Sequence, residues 1–120
     1  DAVLKLANLN FDIRNWPRAR ELYTHYLELH PNQPDTMTDL GITYRELKQY
    51  DRALELFDRV QKVAPDHWQS KFNQVIVLAF DLKKYGEAES VLAELKRLQP
   101  TNPDVARLAA EVDRQKKAAA

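Results

Sequence analysis

The chain has 120 residues, the size of one ordinary domain, and its 44% apolar and 30% charged content suffices to bury a core and solvate the outside. Its 18 basic and 18 acidic side chains cancel, so it lacks the cationic surplus that phosphate neutralisation or an anionic membrane surface demands. It contains no cysteine, which excludes disulfides and thiolate chemistry, and its longest apolar run, Val75 to Phe80, is far below the roughly 18 residues of a membrane span.

Two glycines leave little room for a sheet, and the prolines fall mostly between helical patterns. The first helix is expected over 2–14, with Leu6-Ala7 at its centre and one side uncovered. The second, over 17–29, opens at Pro17, where a first-turn residue needs no amide donor. The third, over 34–47, opens the same way at Pro34 and carries Gly41 in its middle. A glycine there costs about 1 kcal/mol relative to alanine, so the close approach of a paired helix is the expected compensation. The fourth, over 51–63, has Asp51 as a helix-start residue and Ala53-x-x-x-Phe57 facing inward. The fifth, over 69–82, is apolar nearly all round from Phe72 to Leu82, more than one buried face requires. The sixth, over 86–98, repeats Ala88-x-x-x-Leu92. The seventh, over 103–117, has Asn102 as a cap before Pro103 and an apolar stripe of Val105, Leu108, Ala109 and Val112.

These elements repeat. Pro31, Pro65 and Pro100 are separated by 34 and 35 residues, as are Ala19, Ala53 and Ala88, and Trp16, Tyr50 and Tyr85. Three sets of landmarks share one period, with one extra residue expected near Trp68. The middle unit, Leu40-Gly41-x-x-Tyr44, then Ala53-x-x-x-Phe57, then Pro65, resembles the tetratricopeptide repeat. The flanking units are weaker copies, with Asn10 in the aromatic place of the first and Ile76 in the small place of the third. The resemblance implies an all-α, right-handed solenoid. Three helix-turn-helix repeats (1–33, 34–67, 69–102) and a capping helix (103–117) would make one domain, alone or within a longer protein.

No pattern of catalytic residues accompanies the repeat. The two glycines are too far apart to form a phosphate loop. His25 and His30 are five apart, not at the four-residue spacing of a helical zinc pair, and neither Ser70 nor Ser90 lies in a nucleophile elbow. No catalytic, cofactor-binding or metal-binding residue is therefore assigned, and a protein-binding scaffold is expected, not an enzyme.

The resemblance implies that the first helix of each pair lines the binding side. With the eighth repeat position set on Ala7, Gly41 and Ile76, the lining residues become Leu4, Asn8, Phe11 and Asp12, then Thr38, Ile42, Arg45 and Glu46, then Asn73, Val77, Phe80 and Asp81, with Arg107 and Glu111 as additions from the last helix. Phe11 is expected to be exposed, because its helix comes first in the stack. The variant of this family that grips a terminal carboxylate in heat-shock co-chaperones has Lys, Asn and Arg where this chain has Leu4, Asn8, Asp39, Ser70 and Gln74. Only Asn8 agrees, so that partner class is rejected. The expected partner is a peptide or helix of another protein, with no nucleic acid and no membrane span. Self-association and an accessory role beside another domain stand as alternatives, and so does the reading that these residues only pack against neighbouring helices.

Overall fold

Polar side chains and prolines set where five of the seven helices begin. Asp1 Oδ1 accepts the amide protons of Val3 and Leu4 at 2.7 and 3.3 Å, which opens α1 (Ala2–Asp12). Asn15 does the same for α2 (Trp16–Leu29), with Pro17 in its first turn. The next helix, α3 (Pro34–Glu46), starts on its proline, and α4 (Tyr50–Val63) has Asp51 in its first turn. His67 caps α5 (Trp68–Ile76), its Nδ1 accepting from Ser70 N at 3.2 Å. After α6 (Tyr85–Leu98), Asn102 Oδ1 accepts from Asp104 N at 2.9 Å and opens α7 (Pro103–Ala119). A computed structural model describes all 120 residues, and they form these seven α-helices, one π-helical turn after α5 and no strand. No helix is long and apolar enough to cross a membrane.

The first helix of each pair ends alike. Arg14, Lys48 and Lys83 adopt positive φ of 62°, 62° and 56°. The next backbone amide then reaches back to a carbonyl of that helix: Asn15 N to Asn10 O, Gln49 N to Tyr44 O and Lys84 N to Leu78 O, at 2.8, 2.8 and 2.7 Å. The third of these bonds spans one residue more than the other two. The sequence expectation placed the extra residue near Trp68, and the structure corrects it. The helices α3 and α5 begin 34 residues apart, at Pro34 and Trp68, whereas α4 and α6 begin 35 apart, at Tyr50 and Tyr85. The insertion is absorbed by the π-helical turn Val77–Asp81, where Leu82 N donates to Val77 O at 3.0 Å.

The chain divides into two compact units, Asp1–Pro65 and Asp66–Ala120. In the first, Ala7, Ala19, Tyr23, Met37 and Val60 are almost wholly buried in a shared core. Gly41 lies against α4 so closely that a Cβ there would stand 2.4 Å from Phe57 Cε1. That approach is the compensation its helix position called for. In the second unit, Val75, Ala88 and Leu95 are fully buried. The closing helix α7 packs on α6 and the π-helical turn through Val105, Leu108 and Val112, and Lys116 Nζ reaches Glu89 Oε1 at 2.9 Å. Lys71 is buried along its stem and ends on Glu94 Oε2 at 3.0 Å.

Candidate functional site

The first unit gathers the polar part of the predicted face around one hydroxyl. Tyr23, on α2, is 1% exposed, yet its Oη donates to Asn8 Oδ1 of α1 at 2.7 Å. Burial first, then the nearby carboxylates of Asp39 and Asp12, raises its pKa above the ordinary value of 10. The phenol therefore stays neutral and serves as a donor. Asn8, Asp12 and Asp39 thus approach one hydroxyl from α1 and α3 and bring two negative charges to it, while Arg45 lies in the last turn of α3. Its Nη1 lies 4.0 Å from Glu46 Oε1.

The apolar residues differ more from expectation. Phe11 is half-buried, with Trp16 and Tyr23 edge-on to it at centroid distances of 5.2 and 6.3 Å. It is a wall of an aromatic cluster and only partly exposed, where exposure was expected. Leu4 packs against the same core, and Ile42 is half-exposed on α3. Thr38 is 4% exposed and its hydroxyl donates to Pro34 O at 2.8 Å, so it is withdrawn from any surface role. Asp39 joins the cluster in its stead. Its position three before Ile42 puts both on one face, a spacing that was open to reading.

In the second unit Val77 is fully buried, against expectation. The cause is register: the insertion lies after it, so Ile76 and Phe72 correspond to Ile42 and Thr38, and both are half-exposed. Asn73 spends its amide on Gln69 O at 2.9 Å, while Phe80 and Asp81 are half-buried in the π-helical turn. Arg107 pairs with Asp104, and Glu111 with Arg114, on α7 itself.

A cleft of about 440 Å³ opens elsewhere in the first unit, floored by Leu27, Met37, Leu40, Tyr44 and Leu56 and bordered by Arg52, whose guanidinium lies 5.8 Å over the Tyr44 ring. None of the predicted face residues lines it. Periodicity marks those apolar residues as core and gives no sign that a gap remains above them. No three His, Asp or Glu side chains converge as metal ligands.

Comparison with known proteins points one way. A family model described as tetratricopeptide repeat matches residues 1–71. Among solved structures, the TPR domain of Arabidopsis OM64 is similar at 14% identity and TM-score 0.86, covering 94% of this chain and 93% of that one. The TPR2B-domain:pHsp70 complex of yeast Sti1 is similar at 16% identity and TM-score 0.77, with 98% and 95% covered. The Yersinia enterocolitica type III secretion chaperone SycD, in complex with a peptide of the translocator YopD, is similar at 19% identity and TM-score 0.82, with 98% and 88% covered. At such identities the likeness is one of fold. No curated protein sequence matches the chain.

Proposed function

The chain belongs to the tetratricopeptide repeat family, and from that premise we propose that it is a non-catalytic scaffold that binds a segment of a partner protein on the leading helices of its repeats. The partition into repeats 1–33, 34–67 and 69–102 with a capping helix 103–117 is part of this reading. The observation that carries it is the acidic, half-apolar face of the first unit, where Asn8, Asp12 and Asp39 surround the Tyr23 hydroxyl beside Ile42. The SycD chaperone and yeast Sti1, similar in fold, have been solved with a YopD peptide and with pHsp70, which supports peptide capture as the general activity. The fold itself is a protein-interaction fold and not an enzymatic one.

The chemistry of the face narrows the partner. A terminal carboxylate would meet Asp39 and Asp12 and be repelled. Two further positions of a carboxylate grip, Ser70 and Gln74, are buried. A segment carrying Lys or Arg next to an apolar side chain fits better: its cation finds the two carboxylates and its apolar neighbour covers Ile42. Binding of this kind weakens with salt. The test compares two peptide pools, one with basic-apolar pairs and one ending in acidic residues with a free carboxylate. Retention of the first pool only, reduced about tenfold in affinity by either Asp39→Asn or Ile42→Ala with helical circular dichroism unchanged, is the expected result. Preference for the carboxylate pool would overturn the partner class. Indifference to both variants would move the site elsewhere.

A further inference from the structure

One helix carries two apolar faces. The inner face of α1 holds Ala7 and Asn10 against the core of the first unit. The outer face shows Leu6, Leu9 and Ile13 to solvent, exposed by 42%, 54% and 64%, with Ala2 also exposed in line with them. The spacings of four, three and four residues from Ala2 to Ile13 place all of them on a single stripe. That is the repeat of a helix seam, and solvated surface helices do not present one without cause.

The charges beside the stripe decide what fits on it. Lys5 and Asp12 are both exposed and stand seven residues apart, so they flank the stripe on the same side. Its other flank carries Val3 and then passes through Asn10 into the buried side, with no charge. When two helices pair in antiparallel fashion, like flanks face each other; when they pair in parallel, unlike flanks do. A parallel pairing of α1 with its copy would set the charged flank against the neutral one. In an antiparallel pairing, Leu6 of one copy meets Leu9 of the other, and Ala2 meets Ile13. Lys5 of each copy then falls opposite Asp12 of the second copy, twice by symmetry.

We infer that the outer face of α1 is a homodimerisation seam, in which two copies of this chain pair antiparallel about a two-fold axis between Leu6 and Leu9. The interface is isologous, because the same stripe serves both copies and the same ion pair forms at each end. It is also small, one short helix per copy, so the association is weak and depends on concentration. This surface adjoins the peptide face at Asp12, but its apolar stripe of Leu6, Leu9 and Ile13 lies outside that face and needs no ligand.

Sedimentation velocity of the full chain from micromolar to millimolar concentration tests the seam. The sedimentation coefficient is expected to rise from the monomer toward the dimer value. Leu9→Glu places a charge at the centre of the seam and should leave a monomer at every concentration; Leu9 is more than half exposed, so its helical spectrum should not change. Lys5→Asp alone sets like charges opposite each other at both ends, as does Asp12→Lys alone. Each should weaken association at low salt about tenfold. The two together exchange the charges and should restore it. A wild-type chain that stays monomeric throughout overturns the inference, and would leave the stripe to a partner of another kind. Association that survives Leu9→Glu overturns it too, as does a double exchange that fails to recover what each single reversal lost.

Discussion

At Gly41 a single missing carbon sets the distance between α3 and α4. A Cβ there would stand 2.4 Å from the fully buried ring of Phe57, closer than packed atoms tolerate, so the ring would have to shift within a close-packed interior. Gly86, in the first turn of α6, has nothing within 4 Å of where its Cβ would be. The same substitution should therefore have opposite signs at the two glycines. Gly41→Ala overpacks the crossing and is expected to destabilise by about 1–3 kcal/mol, outweighing its gain of about 1 kcal/mol in helix propensity. Gly86→Ala keeps the propensity gain, up to about 1 kcal/mol, and loses no space. Denaturant unfolding of both variants beside the parent chain gives the two signs directly. The need for close approach at Gly41 was legible from sequence, because a glycine in mid-helix has a cost that packing must offset. What sequence did not reveal was which side chain would fill the space. Ala53 and Phe57 were both expected to face inward and both are fully buried, and it is the larger Phe57, one turn further along α4, that makes the contact.

Among the elements, α5 is where pattern reading ran out. From Phe72 in α5 through the π-helical turn to Leu82 the chain is apolar in nearly every position, so periodicity gives no register within that run. The one-residue insertion could be placed anywhere in that run, and putting it early moved the predicted face one residue along, from Ile76 to the buried Val77. Capping residues and the loop-closing bonds at Lys84 and Leu78 locate it in the π-helical turn. That location has a consequence for deletion. Removing Asp81 takes out the surplus residue while every residue before it keeps its face, so the chain should still fold with parental helical content. Removing Asn73 instead shifts the buried run from Gln74 to Leu78 by one position, about 100° around the helix, and should abolish cooperative unfolding in the second unit. Thermal melts followed by circular dichroism distinguish the two. Equal damage from both deletions would argue against the turn as the site of the insertion.

Over the whole molecule, the balanced charge of 18 acidic and 18 basic groups hides a local division of labour. The Tyr23 neighbourhood is acidic and half-apolar, the outer side of α1 is apolar, and the cleft floored by Leu27, Met37 and Leu56 is a third feature, concave and distinct from both. Helix number, helix order and most boundaries were legible in the sequence, because prolines, caps and the 34-residue period act locally. The candidate face was legible only in part. Repeat positions name which residues a helix turns toward one side, but Thr38 is sealed in its own helix and Phe11 is held by Trp16 and Tyr23, contacts that depend on how neighbouring helices meet. The competition between the acidic face and the cleft is therefore the question on which the functional account rests. Amide and side-chain chemical-shift mapping during titration with a peptide bearing a Lys-Leu pair addresses it most directly. The account predicts that Asn8, Asp12, Asp39 and Ile42 respond together and saturate at one affinity that falls with added salt. Shifts centred on Arg52, Leu56 and Arg59, with the Tyr23 neighbourhood silent, would contradict it.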